Sequence, residues 1–166
     1  ITEPDSLLVL ASSTDATCSG YFDGTATLIT NGGTYPYNTD WGLSNPSALN
    51  AGTHNYLVTD SNNCIAQGNI IIDEPLSMQI IDTISMVSCF GLSDGSATLF
   101  ISAGAGPPYI EDWGALNSDS LPAGLHTFIV TDINNCTSQD TVYITQPSDI
   151  LINPLTTDVS CFGDIN

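Results

Sequence analysis

Apolar and polar positions alternate in several short runs, a pattern typical of half-buried β-strands. Residues 25–30 alternate, with Ala26 and Leu28 on one face, and residues 54–59 alternate in the same way. An apolar run at 6–11 predicts a further strand. No segment has a convincing apolar period of 3.6 residues, so the sequence predicts an all-β protein with almost no helix.

Turn signals separate these runs at short intervals. Asp23-Gly24 is a strong one, because glycine accepts a positive φ and aspartate can bond to its own backbone. Leu49, Tyr56 and Val58 are predicted core residues, and Trp41 is predicted to enter the core from a strand of its own. The remaining strand of this region runs from residue 64 to residue 75.

The pattern then repeats. Residues 58–64, Val-Thr-Asp-Ser-Asn-Asn-Cys, return at residues 130–136 as Val-Thr-Asp-Ile-Asn-Asn-Cys, 72 positions later. Self-similarity at a fixed period is the signature of a tandem array. We therefore divide the chain into the end of a preceding repeat, two complete repeats and the start of a third: 1–4, 5–75, 76–147 and 148–166. We also expect the chain to be part of a longer polypeptide.

Each complete repeat contains two cysteines. Cys18 and Cys64 are 46 positions apart, and Cys89 and Cys136 are 47 apart, unlike close-spaced metal or redox motifs. We predict one disulfide within each repeat, with the partner of Cys161 outside the chain, and hence an oxidising extracellular compartment. Such a bond requires both cysteine turns to share one end of an up-and-down fold, which favours about six strands per repeat.

Short strands with the order Cys, Trp, Cys predict tandem immunoglobulin-like β-sandwiches of about 72 residues. In this prediction Trp41, Trp113, Tyr37 and Tyr109 are core aromatics.

Charge narrows the range of partners. The chain has 18 acidic residues and no Lys or Arg, giving a formal net charge of −18. It has no cationic side chain beyond two histidines to neutralise phosphates, so we expect no binding to nucleic acid or to anionic lipid. No apolar run is long enough to cross a membrane, and we expect no direct membrane insertion.

Several motifs taken together resemble the SprB-repeat family. They are Cys-x-Gly-x-x-Asp-Gly-Ser/Thr-Ala-Thr, Pro-Tyr before Trp, Val-Thr-Asp-x-Asn-Asn-Cys and a closing Ile-Thr-Glu/Gln-Pro. They cover both complete repeats and continue into residues 159–163. The chain departs from the family at His54 and His126, where a tyrosine is usual, and at Asn63 and Asn135, where glycine is usual.

The SprB-repeat family occurs in very large cell-surface proteins of Bacteroidota, including a gliding-motility adhesin. The resemblance implies a structural repeat segment of a secreted adhesin filament, displayed at the outer membrane for gliding motility and surface attachment. It also implies export by the type IX secretion system, and partners in that machinery, in the gliding machinery and in neighbouring repeats. No enzymatic activity and no cofactor are expected.

Two kinds of chemistry remain as alternatives to purely structural roles. Asp60 and Asp132 are weak calcium candidates, since Asp-x-Asn-Asn offers several oxygens, although an EF-hand needs more acidic ligands. A thiol nucleophile would require an unbonded cysteine near His54. The structural alternative for Asp60 and Asp132 is an Asx turn that leads to a disulfide. The structural alternative for the cysteines is that they are already bonded and cannot attack.

A second functional class is a glycan-binding module that uses exposed aromatic side chains, and exposure of Trp41 or Trp113 would favour it. Four Asp-Ser/Thr-aliphatic triplets also resemble the O-glycosylation motif of exported Bacteroidota proteins. Their hydroxyl residues are Ser6, Thr83, Ser120 and Thr141.

Overall fold

A computed structural model describes residues 5–155 of the chain. These residues form ten β-strands and no helix. Residues 1–4 and 156–166 lie outside this range, so the predictions for Cys161, for the preceding repeat and for all but residues 148–155 of the third repeat concern residues that the structure does not describe. The strands are β1 (Leu8–Thr14), β2 (Thr25–Asn31), β3 (Asn38–Asp40), β4 (Gly52–Thr59), β5 (Ile65–Ile72), β6 (Gln79–Ser85), β7 (Ser96–Ser102), β8 (Ile110–Asp112), β9 (Gly124–Thr131) and β10 (Thr137–Ile144).

All pairings between strands are antiparallel, and they follow the same plan twice. In what we call the first unit (residues 5–75), β1 pairs with β2 and a second sheet has the order β3-β4-β5. In the second unit (76–147), β6 pairs with β7 and the other sheet has the order β8-β9-β10. The all-β prediction is confirmed. Each unit has five strands, however, where about six were predicted.

The two sheets of each unit pack around a small apolar core. In the second unit the buried cluster includes Trp113, Leu121, Phe128 and Ile144. In the first unit it is smaller and includes Leu49 and Ile72, with Trp41 and Tyr56 only partly buried against it. Short bridges between Gly24 and Leu49, and between Gly95 and Leu121, connect the paired sheets. Leu49 and Val58 are core residues as predicted.

Each unit has two distinct ends. At the leading end of the first unit, where the chain enters, the Gly33 N–H donates to Asp5 O at 2.7 Å and the Thr34 N–H donates to the Asp60 carboxylate at 2.9 Å. At the trailing end, where the chain leaves, the Ala16 N–H donates to Asp73 O at 2.9 Å. The turn at 60–64 therefore lies at the leading end and the loop at 15–24 lies at the trailing end.

This arrangement makes the predicted disulfides within each repeat wrong. Cys18 and Cys64 lie at opposite ends of the first unit, separated by the seven residues of β2, or about 20 Å. Three strands, β2, β3 and β4, lie between their turns, and an odd number reverses the direction of the chain. The structure instead bonds Cys18 to Cys136, and Cys64 and Cys89 are unbonded.

Candidate functional site at the junction between the units

The loop that carries Cys18 is shaped by a neighbouring carboxylate. Asp23 accepts a hydrogen bond from the Thr17 N–H at 3.0 Å and another from the Thr17 hydroxyl. The hydroxyl bond, followed by the backbone bond, holds the pKa of Asp23 below its usual value. Asp94 and Ser88 form the same pair beside Cys89, and the pKa of Asp94 is lowered for the same reason.

The turn that carries Cys136 is built around another carboxylate, Asp132, which is buried. Asp132 accepts hydrogen bonds from the backbone N–H groups of Asn134, Ala105 and Cys136 at 2.9, 2.8 and 3.0 Å. Asn135 has a φ of +63°, a left-handed conformation that asparagine tolerates better than most side chains. The cysteine is thereby held in a fixed position by its own backbone N–H.

The first unit repeats this turn around Asp60. Its carboxylate accepts the N–H groups of Cys64, Asn62 and Thr34 at 2.8, 2.8 and 2.9 Å. The bond from the Cys64 N–H is the largest of the causes that lower the pKa of Asp60. Asn63 has a φ of +65°. The turn chemistry predicted from Asp-x-Asn-Asn is therefore present in both units.

Cys18 and Cys136 meet where the trailing end of the first unit faces the leading end of the second. Their Cα atoms are 5.6 Å apart, and the two residues are only 4% and 8% exposed. Across the same junction, the Asn134 side-chain amide donates to Thr17 O at 3.3 Å. A cavity of about 150 Å³, lined in part by Tyr21 and Met78, adjoins the disulfide. The junction is thus a covalent contact between the units with polar support.

The two calcium candidates, Asp60 and Asp132, are hydrogen-bonded to backbone N–H groups in this structure. Both oxygens of Asp60, and both of Asp132, face backbone N–H groups, which are donors and repel a cation. Within residues 5–155 no group of three or more His, Cys, Asp or Glu side chains is placed to hold a metal ion. The two carboxylates act as anchors for the cysteine turns.

Both histidines are buried among backbone acceptors. His54 Nε2 lies 2.8 Å from Asn50 O, and its Nδ1 lies 3.0 Å from the Ser44 hydroxyl. His126 Nε2 lies 2.7 Å from Pro122 O. A carbonyl oxygen can only accept, so Nε2 carries the proton in each ring. The structure does not place Cys64 beside His54: Thr59, where the cysteine turn begins, lies five positions further along β4, or about 17 Å away.

The aromatic side chains differ between the units. Trp113 is buried against Phe128, with ring centroids 4.8 Å apart. Trp41 is half-buried, its ring centroid lies 5.5 Å from that of Tyr56, and both rings line an open groove of about 790 Å³. The core prediction is therefore met by Trp113 and only in part by Trp41.

Gly68 accounts for part of this difference between the units. The Tyr56 ring lies directly over Gly68, where a Cβ atom would stand 2.5 Å from the Tyr56 hydroxyl, so only glycine leaves room for the ring in this position. Asp140 occupies the equivalent position in the second unit. The sequence reasoning missed the groove, and the signal for it was the pair Tyr56 and Gly68 in place of Phe128 and Asp140.

The other predicted aromatics fix the loops that follow β2 and β7. The Tyr37 hydroxyl donates to Gly32 O and the Tyr109 hydroxyl donates to Ala103 O, both at 2.7 Å. Both tyrosines are half-buried. Their hydrogen bonds therefore hold these loops against the edge of the core.

The four glycosylation candidates, Ser6, Thr83, Ser120 and Thr141, are all exposed to solvent. The Ser120 hydroxyl donates a hydrogen bond to Ser93 O at 2.8 Å.

Comparison with known proteins gives no assignment: no family model matches the chain, and neither a curated protein nor a solved structure matches it. Over the residues that the structure describes, no helix has the length and apolar character needed to cross a membrane.

Proposed function

We propose that this chain is a structural segment of a very large secreted cell-surface adhesin filament that serves gliding motility and surface attachment. The observation that carries the proposal is the Cys18–Cys136 bond, which joins two similar β units end to end. A covalent bond across the junction transmits tension between units without relying on a small interface. Such a role calls for no catalytic residue and no cofactor.

Three further observations support this proposal. The strand order and pairings of the first unit recur in the second, as tandem immunoglobulin-like repeats would require. The disulfide is typical of proteins that function in an oxidising, extracellular compartment. A net charge of −18 without Lys or Arg favours a soluble, self-repelling surface suited to dense display.

The assignment to gliding and to type IX secretion rests on the motif resemblance to SprB repeats alone, since no family model matches the chain. Under this proposal the partners are neighbouring repeats, the secretion machinery and the gliding machinery, and the location is the outer-membrane surface. An antibody raised against the folded chain tests it on the cells that produce the protein. We expect labelling of intact cells and loss of adhesion or gliding on deletion, whereas labelling only after permeabilisation would contradict the proposal.

Force spectroscopy tests the mechanical part separately. When the chain is pulled from its termini, the tension passes through the disulfide and bypasses the 118-residue separation between Cys18 and Cys136. Under reducing conditions those residues become extensible, which adds roughly 40 nm of contour length at about 3.5 Å per residue. The same contour length with and without reductant would contradict a disulfide that carries the tension between the units.

The groove of the first unit favours a second candidate function, glycan binding. Trp41 and Tyr56 offer partly exposed rings, and the amides of Asn55, Gln67 and Asn69 line the same groove of about 790 Å³. Aromatic rings with an apolar body and polar neighbours are suited to stacking on sugars.

Tryptophan fluorescence during titration with soluble polysaccharides tests this candidate. A saturable change that is lost in Trp41→Ala but kept in Trp113→Phe would support glycan binding in the groove. The absence of any change over a broad panel of polysaccharides would remove it in favour of the purely structural role.

A further inference from the structure

Cys64 and Cys89 are exposed and unbonded, although each has a bonded counterpart in the other unit. Cys64 corresponds to Cys136, and Cys89 corresponds to Cys18. We propose that these two thiols are the outer halves of a staggered disulfide ladder, in which Cys89 of one copy of this chain bonds to Cys64 of the next. Each bond would join the first cysteine of one unit to the second cysteine of the unit that follows it.

The outward trailing end of the second unit is built like the one that already forms a junction. The Val87 N–H donates to Thr145 O at 3.1 Å, as the Ala16 N–H does to Asp73 O. The Gly91 N–H donates to the Gln146 side chain at 3.1 Å, in the position of the bond from the Gly20 N–H to Glu74. Cys89 is therefore presented in the same frame as Cys18.

The outward leading end of the first unit matches the leading end of the second. The Gly33 N–H donates to Asp5 O, and the equivalent Gly104 N–H donates to Leu76 O at 2.9 Å. The turns at Asp60 and Asp132 hold Cys64 and Cys136 with the same set of backbone bonds. The two outward ends are therefore complementary in the way that the two inner ends are.

The residues that follow the cysteines are polar at the closed junction and apolar on the outward ends. At the closed junction Ser19 and Thr137 line the same cavity. Their counterparts on the outward ends are Phe90 and Ile65, which are 52% and 62% exposed. A polar pair is replaced by an apolar pair, so joining the outward ends would bury both side chains. Phe90 lies on one outward end and Ile65 on the other, so a second copy of this chain presents the complementary apolar side chain to each end.

Bond formation requires a disulfide oxidant such as glutathione disulfide. The Cys89 thiolate attacks glutathione disulfide and releases one glutathione thiolate, which leaves a mixed disulfide on the protein. The Cys64 thiolate of a second copy then attacks the Cys89 sulfur and releases the other glutathione. Two protein thiols are oxidised, one glutathione disulfide is reduced to two glutathione thiols, and the protons of the protein thiols pass to these. Because the contact is head-to-tail, repetition gives an open filament unless the rotation closes a ring.

Two double variants of the full chain test this pairing, each combining Cys161→Ser with one further substitution. Cys64→Ser retains only the Cys89 outer thiol and is labelled with ¹⁵N, whereas Cys89→Ser retains only the Cys64 thiol and is unlabelled. They are mixed in equal amounts in a glutathione redox buffer, and the dimers are counted by intact mass. Random pairing makes half of the dimers mixed. We expect mixed dimers to exceed all homodimers by about tenfold. If mixed dimers make up half or less of all dimers, or if no dimers form, the proposal is overturned.

Peptide mapping after pepsin digestion at low pH provides the control for scrambling. We expect a Cys64–Cys89 crosslink in the mixed dimer together with an intact Cys18–Cys136 bond, and loss of the latter would overturn the proposal. Adding Phe90→Ser to the labelled variant should lower the preference for mixed dimers several-fold without changing the melting temperature. An unchanged preference would overturn the apolar contact. The proposal extends the proposed structural role, yet it is tested without cells, so its failure is distinguishable from a failure of surface display.

Discussion

Replacing both Cys18 and Cys136 with serine removes the bond across the junction and should lower stability substantially. The two residues are 118 positions apart, and closing a loop of that size restricts the unfolded chain by about 5 kcal/mol on the chain-entropy model. For a chain of this length, each kcal/mol corresponds to roughly 2–4 °C, so the melting temperature should fall by roughly 10–20 °C. Thermal unfolding followed by circular dichroism measures this fall.

The matched control is the double replacement of Cys64 and Cys89 with serine. Both residues are exposed and unbonded, so this variant should melt within about 2 °C of the parent. If the bonds instead lay within the units, both double variants would lose two bonds and fall by similar amounts. Equal losses in the two variants would therefore refute the bond between the units.

A single cleavage site gives an independent assay of the same bond. The chain contains no Lys or Arg, so Ser77→Arg creates one trypsin site in the exposed segment between the units. After cleavage, the two halves should migrate together on a non-reducing gel and separate once a reductant is added. Halves that separate without a reductant would show that Cys18 and Cys136 are not joined.

Three further outcomes follow from the described contacts. Asp132→Ala removes the acceptor for three backbone N–H groups and should lower the free energy of unfolding by about 2–3 kcal/mol in a denaturant titration. The exposed control Asp119→Ala should change it by less than about 0.5 kcal/mol. The depressed pKa of Asp23 means that the unfolded chain binds its proton more readily than the folded chain does. The loss of melting temperature in Asp23→Asn should therefore be fully present well above the ordinary aspartate pKa of 3.8 and should shrink as pH falls through the folded pKa, and a loss that stays constant with pH would contradict this. Gly68→Ala places a methyl group 2.5 Å from the Tyr56 hydroxyl, so the Tyr56 ring must shift into the open groove beside it. The cost should be about 1 kcal/mol in the same titration, at the low end for overpacking, whereas Asp140→Ala at the equivalent position should be nearly neutral.

Local features of this protein could be predicted from the sequence because they depend on neighbouring residues. Alternation at 25–30 and 54–59 predicted strands that the structure contains, since one face of each must be buried. Asn62 and Cys64 follow Asp60 within four positions, and their backbone N–H groups bond to its carboxylate to form the turn. Leu49 and Val58 were core predictions for the same reason.

The groove in the first unit required the tertiary structure. Trp41 and Trp113 stand at equivalent positions, and the sequence gives no direct measure of how deeply each ring is buried. Depth depends on the residues across the sheet, Tyr56 over Gly68 in one unit and Phe128 in the core of the other. These contacts join separate strands, so one short segment does not determine them.

By itself, the sequence determined that this is an all-β chain with a 72-residue period and two cysteine turns in each unit. Only the tertiary structure decided which cysteines meet. The number of strands between two turns sets whether they share an end, and five strands per unit place Cys18 and Cys64 at opposite ends. The chain then leaves one unit beside Cys18 and enters the next beside Cys136, so the bond forms between units because that is where the two sulfur atoms are brought together.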